Sequence, residues 1–367
     1  MDKQWIDEFW KKIEDKLQVV APQVDTKFPY TIDENGKYVP FQNNQWWTNG
    51  FWAGILWLAY LGSERDAYKE LAISCEEALD QAFLDFSDLH HDVGFMWLPS
   101  AVAHYRIDGN EKSRVRGMHA ATILAGRFNC DGGFIRAWNW DKTGWAIIDC
   151  MMNIPLLYWA SEETDDPRFK MIAMRHADTV MKHFVRPDGS VNHIVSFDPM
   201  TGEVLDTPRG QGYASGSSWT RGQAWAIYGF VLSYLHTGKQ EYLDTAKKVA
   251  HYFIANLSDD GVPVVDFRAP KEPVWKDTTA GAITACGLIE IMNLVDEHEK
   301  ELYENAVEKL LKGLEKNCDF TLGNQSILQN GTERYHDTRG FHIPIIYGDY
   351  YLMEALLKLK GHEILFW

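Results

Sequence analysis

The sequence predicts an all-α toroid in which six helical hairpins stand in a ring, with apolar helices inside and more charged helices outside. Three observations predict it. First, a unit recurs along the chain: a small or polar residue opens an apolar helix, a polar turn follows roughly 12 to 16 residues on, and a more charged helix returns. Second, six such openings have five downstream partners, and an amphipathic helix near the N-terminus supplies the sixth. That balance favours a closed ring over an open solenoid with exposed ends. Third, no linker-like segment divides the chain, so one domain is expected over residues 1–367.

The elements follow in order. Over residues 4 to 19, Trp5, Ile6, Phe9, Trp10, Ile13 and Leu17 recur at helical spacing, and Pro22 is expected to end that helix. Residues 22 to 46, with Pro22, Pro29, Pro40 and Asn35-Gly36, read as a long loop. The first hairpin opens at Gly50-Phe51-Trp52, turns at Gly62-Ser63-Glu64-Arg65-Asp66, and returns from Ala67 to Leu79. The second opens at Asp92-Val93-Gly94 and turns at Asp108-Gly109-Asn110. The third opens at Asp149 and turns at Thr164-Asp165-Asp166-Pro167, where proline suits the first helical turn. The fourth opens at Arg221-Gly222-Gln223 and turns at Thr237-Gly238-Lys239. The fifth opens at Ala280-Gly281-Ala282 and turns near Asp296-Glu297, and the last opens at Gly348-Asp349-Tyr350 and stops at Gly361.

Composition narrows the functions. With 46% hydrophobic and 24% charged residues, the chain has enough apolar material for a large core. A formal net charge of −16 opposes nucleic-acid binding, which depends on cations neutralising phosphates. No run reaches the ~20 apolar residues that span a bilayer, so no membrane partner is expected, and no obligate protein partner is evident. The start of the chain lacks the apolar segment of a signal peptide, and a cytoplasmic location is expected. Cys75, Cys130, Cys150, Cys286 and Cys318 lack metal-finger spacing and read as free thiols. The 15 tryptophans exceed what a core usually requires, and sugar faces that stack on aromatic planes are one common reason.

Chemistry concentrates where the inner helices begin, because a ring brings those ends to one face. Asp92, Asp149 and Arg221 fall at or beside such starts, so residues distant in sequence are expected to converge on one cleft. Asp149 sits in the apolar run Ile147-Ile148-Asp149-Cys150-Met151-Met152. Desolvation there would favour a protonated carboxyl able to deliver its proton; equally, Asp149 could be a helix N-cap. Two acids at one mouth suit glycoside hydrolysis, one giving a proton and the other stabilising positive charge or activating water. Arg221 could pair with a substrate carboxylate, or bond Asp149 or a loop carbonyl. Loops before these helices carry Trp46, Trp47, Trp138, Trp140, His193, Gln211 and Trp219 as cleft walls, while Trp47 and Trp225 read as stacking platforms or core.

Other chemistries fall away. His90-His91-Asp92 has no matching ligand set elsewhere, and no His-Glu-x-x-His occurs, so neither a metal nor another cofactor is expected. Phosphate-loop, dinucleotide and nucleophile-elbow signatures are missing from the sequence.

The motifs Trp47-Thr48-Asn49-Gly50-Phe51-Trp52, His90-His91-Asp92-Val93-Gly94-Phe95, Ile147-Ile148-Asp149-Cys150, Ser218-Trp219-Thr220-Arg221-Gly222-Gln223-Ala224-Trp225, Ile283-Thr284-Ala285-Cys286-Gly287-Leu288 and Tyr347-Gly348-Asp349-Tyr350-Tyr351 span nearly the whole chain in order. In these the chain resembles the unsaturated glucuronyl hydrolases of glycoside hydrolase family 88. The resemblance implies an (α/α)6 barrel and hydrolysis of lyase-generated oligosaccharides, such as chondroitin, hyaluronan or heparin fragments, whose non-reducing uronate carries a C4=C5 double bond. It further implies Asp149 as general acid and base and Asp92 as the second carboxylate. His91, Trp138, His193, Gln211, Arg221 and Trp225 would contact sugar, with Trp47 as a stacking wall. The alternative is an unsaturated rhamnogalacturonyl hydrolase, which shares fold and chemistry but takes pectin fragments.

Overall fold

Helix α1 (Lys3–Val24) buries Ile6, Phe9, Trp10, Ile13 and Leu17 along one stripe, and the Asp2 carboxylate caps it by accepting the Gln4 N–H at 2.9 Å. It runs through Pro22 instead of stopping there. A proline so near the end withdraws only one backbone bond, and the stripe continues through Val20, Ala21 and Val24, which stay buried. The computed structural model describes residues 1–41, 43–364 and 366–367.

Six apolar rods form the inner ring, each followed or preceded by an amphipathic outer helix. The first rod is α2 (Phe51–Ser63), entered through a 3₁₀ turn at Trp47–Gly50 and followed by outer α3 (Asp66–Ala78) and short α4 (Asp80–Asp85). The second is α5 (Val93–Trp97), a π turn (Leu98–Val102) and α6 (Ala103–Asp108), with outer α7 (Glu111–Ala125). Pro99 has no N–H to give, and the rod absorbs that loss as a π turn. The third is a 3₁₀ turn (Ile148–Met152) and α8 (Pro155–Thr164), with outer α9 (Pro167–His183). Next come α10 (Thr220–Thr237) with outer α11 (Gln240–Asn256), and α12 (Thr278–Leu294) with outer α13 (Glu297–Glu315). The last rod, α14 (Ile346–Leu359), packs on both α12 and α2, and the ring closes with α1 outside it. The protein is an all-α, six-hairpin (α/α)6 barrel.

Burial follows the sequence pattern. In α10 every residue from Thr220 to Ser233 is buried, whereas α9 buries only Phe169, Ala173, His176, Ala177 and Val180.

The loops at the rods' N-terminal ends carry short strands that the sequence reading did not anticipate. Trp145–Ile147 pairs antiparallel with Ile194–Phe197, which pairs with Val204–Asp206. Three or four residues are too few for alternation to register as a pattern, and the pairing forms because the ring sets these loops side by side. No described helix is long and apolar enough to cross a membrane.

Candidate active site

Asp92, just ahead of α5, and Asp149, in the 3₁₀ turn ahead of α8, both line one cavity of about 490 Å³. Trp47, His91, Trp138, His193, Gln211 and Arg221 line it too. Of the residues that the resemblance implied as acids or sugar contacts, only Trp225 does not. Its ring is fully buried, 5.0 Å from Phe95 and 5.6 Å from Tyr351 between ring centroids, so the expected sugar contact is corrected to a support beneath the floor. The physical reason is helical phase: Trp225 lies one turn inside α10 and points into the ring, where aromatic side chains fill the axis. Trp219 is likewise buried beneath His193, and Trp140 is exposed outside the cavity lining.

Asp92 is the more encumbered acid. Its Oδ1 lies 2.9 Å from His91 Nε2 and accepts the Asn153 Nδ2 at 3.3 Å, while Oδ2 lies 3.5 Å from His90 Nδ1. Burial by itself would push its carboxyl up, but His91, His90 and Asn153 outweigh that and hold it below the usual carboxylate range. His91 donates from Nδ1 to the Ala137 carbonyl at 2.8 Å, since a carbonyl can only accept, and this fixes the ring with Nε2 towards Asp92. Burial pushes the His90 imidazole down to about 4 despite Asp92, so near neutral pH it is uncharged.

Asp149 is freer. It caps no helix: α8 begins at Pro155 with Ile154 in the cap position and no side-chain bond there. The N-cap reading is therefore corrected, because the chain takes an extra 3₁₀ turn before the proline can start the helix. The Asp149 Oδ1 is buried without a hydrogen-bond partner, 3.5 Å from His193 Nε2. The neighbouring strands bring these two together: Ile147 pairs with Ile194, and the Ile148 N–H donates to the His193 carbonyl at 3.0 Å. Gln211 gives its backbone N–H to His193 Nδ1 at 2.9 Å. Only glycine fits next to this bond, since a Cβ on Gly210, at φ +58°, would lie 1.9 Å from Nδ1.

Arg221 takes the loop-carbonyl option and adds an acid the sequence did not suggest. Nη1 bonds Asp277 Oδ2 at 2.5 Å and the Thr332 carbonyl at 2.7 Å, and Nη2 bonds the Glu333 carbonyl at 2.6 Å. Its guanidinium also lies 4.5 Å from the Trp219 ring centroid. Gln211 Nε2 donates to the same Glu333 carbonyl at 2.7 Å, so both side chains hold the 332–333 segment against the cavity. Trp47 leans on Phe95 and Tyr347 at 5.2 and 5.1 Å, and Trp138 stands edge-on to His91 at 6.2 Å.

Tyr30, Trp145, Glu333, Arg334 and Tyr347 also line the cavity and had not been singled out as site residues. Tyr347 was legible inside a quoted motif; Glu333 and Arg334 sit in a loop with no periodic signal. Asn153 was legible as the polar residue four positions after Asp149 in the same apolar run. For a metal, the one group of three donors found among the described residues is His90, His91 and Asp92, with ligand atoms within 4.8 Å of one another. An ion there would have to displace the His91 and Asn153 contacts that Asp92 already makes.

Comparison with known proteins bears on the family and the fold. The Glycosyl Hydrolase Family 88 profile matches residues 21–365. The unsaturated glucuronyl hydrolase of Bacillus sp. (strain GL1) is 38% identical over 356 residues, covering 93% of each chain. The unsaturated chondroitin disaccharide hydrolase of Streptococcus pyogenes serotype M1 is 37% identical over 90% of this chain and 85% of that one. A crystal structure of a mutant unsaturated glucuronyl hydrolase from Streptococcus agalactiae, complexed with dGlcA-GalNAc6S, superposes with a TM-score of 0.87 at 32% identity, over 100% of this chain and 94% of that one. Fold and sequence agree along nearly the whole length, and the chain belongs to glycosyl hydrolase family 88, an enzyme family of glycosidases.

Proposed function

We propose that this enzyme removes the 4,5-unsaturated uronate from the non-reducing end of lyase-generated glycosaminoglycan fragments by adding water across the C4=C5 vinyl ether. The observation that supports this most is the contrast between two acids on one cavity. Asp92 is engaged by His91, His90 and Asn153 and kept ionised, whereas Asp149 keeps an unbonded oxygen beside His193.

In the proposed reaction Asp149 gives its proton to C4, and the ring oxygen shares the positive charge that develops at C5. Ionised Asp92 stabilises that oxocarbenium character. Water adds at C5 and loses its proton to Asp149, which restores the acid. The C5 hemiketal then opens to a ketone, and the hemiacetal left at C1 releases the aglycone, with no attack on the anomeric carbon. His193 orients Asp149; Trp47 and Trp138 offer faces to the sugar; His91, Gln211 and Arg221 shape the pocket around it. Trp225 acts through Phe95 and is not assigned a contact. The named substrates of the S. pyogenes relative and of the S. agalactiae complex support chondroitin-type fragments for this chain as well. We take residues 1–367 as one catalytic domain, and five free cysteines favour a reducing compartment, the cytoplasm.

The test is loss of the ultraviolet absorbance of the conjugated C4=C5 bond on lyase-digested chondroitin, hyaluronan and heparin, beside unsaturated pectin-derived rhamnogalacturonan fragments. Decay on a glycosaminoglycan fragment is expected, with saturated counterparts inert. Folded protein that leaves every glycosaminoglycan fragment unchanged refutes the proposal, and decay confined to the pectin fragments selects the rhamnogalacturonyl alternative.

A further inference from the structure

We propose that Asn153 is a positioning residue for this reaction: its carboxamide ties the Asp92 side chain to the backbone of the Asp149 turn and so sets how the two acids face one substrate. This rests on the hydration reading above. Asn153 is completely buried, and both ends of its amide are engaged. Its Oδ1 accepts the Phe95 N–H at 2.8 Å, which only an oxygen can do, and this fixes which end of the amide faces Asp92. The Nδ2 then splits its two protons, donating to Asp92 Oδ1 at 3.3 Å and to the Asp149 carbonyl at 3.1 Å.

No other described side chain bonds to both the Asp92 carboxylate and the Asp149 residue. The second and third rods also pack tightly here: a Cβ on Gly94 would lie 2.6 Å from Asn153 Cα. Asn153 is not among the residues lining the cavity, so it acts through the two acids it holds. By donating to the carboxylate it favours the ionised form. By binding the Asp149 carbonyl with the same nitrogen, it makes the placement of one acid depend on the other.

Two variants separate positioning from mere packing. Asn153→Asp keeps the shape but sets an anionic oxygen against Asp92, so the acid limb of kcat/KM should move up by about one pH unit or more. Asn153→Ala removes the donor and should move that limb the same way by less. In both, kcat should fall roughly tenfold or more with KM little changed, as expected when a reacting group is misplaced. Thermal unfolding accompanies each assay. If folded variants lose stability but keep the wild-type pH profile, Asn153 only packs and the inference is overturned; it is equally overturned if neither variant folds. An inactive wild type overturns the hydration reading together with this one, whereas an active wild type with unshifted variants overturns this one alone.

Discussion

Gln211 donates its backbone N–H to His193 Nδ1 at 2.9 Å, and that bond decides which ring nitrogen faces Asp149. With Nδ1 acting as acceptor, the neutral ring carries its proton on Nε2, 3.5 Å from Asp149 Oδ1. The histidine therefore has an N–H to offer an ionised Asp149, as the proposed proton transfer requires. His193→Ala should lower kcat by about tenfold or more, while His193→Gln, whose amide can still donate, should recover part of it. Equal losses in the two variants, in single-turnover rates, would argue against this role.

Replacing Asp149 by Asn removes the proton and little else, because Oδ1 holds no other bond that folding depends on. Turnover should fall by roughly 10²–10⁴, and calorimetric binding of an unsaturated disaccharide should persist. A folded Asp149→Asn enzyme with near-normal turnover would strip Asp149 of its role.

The Arg221–Asp277 pair is buried at 2.5 Å, and Asp277 also accepts the Thr279 N–H and hydroxyl. Arg221→Met leaves a charged acid in the core and should cost about 3–5 kcal/mol in urea unfolding. Arg221→Lys should cost nearly as much, since one ammonium cannot reproduce the fork that reaches Asp277, Thr332 and Glu333. A loss confined to KM, with stability unchanged, would mean that Arg221 serves the ligand and not the fold.

Trp47 and Trp225 should part ways. Trp47→Ala opens the cavity wall and should raise KM several-fold, at about 1 kcal/mol for a stacking face. Trp225→Phe should lower stability with KM almost unmoved, because its ring is sealed from the cavity. Parallel KM changes in both would contradict the assignment of Trp225 to the floor.

Burial pushes His90 down to about 4 and His176 to about 3, so the fold keeps both neutral. Below the unfolded value of about 6.5, the unfolded chain takes up protons that the fold refuses. Stability should therefore fall as pH drops from about 6.5 towards 4, by on the order of a few kcal/mol in all. Asp92 works in the same direction but lower down. Its depressed carboxyl contributes stability above the usual carboxylate value, lost only as pH falls through its own. Urea midpoints across this range check the slope, which His176→Gln should lessen; a flat profile would count against neutral buried histidines.

Most of the scaffold was legible because its signal is local. Each rod is apolar on every face, its partner carries a single stripe, and Gly109 and Gly238 end their helices at the predicted turns in left-handed conformation. The element ends were less legible: the sequence starts the third rod at Asp149, but Pro155 starts the helix and leaves Asp149 in the turn before it. Glu333 and Arg334 were missed because a loop residue's reach depends on where the ring parks its loop. Asp277 was missed because its partner lies 56 positions away.

The sequence by itself determined the ring, the face at which its rods begin, and the two acids carried there, since burial periodicity and turn chemistry act within a few residues of chain. The tertiary structure alone decided the partners. Short strands set His193 against Asp149, Asn153 joined that turn to Asp92, and Arg221 went to Asp277. Hydrogen bonds select on distance and angle between groups far apart in sequence, and those are settled only when the six hairpins close on one another.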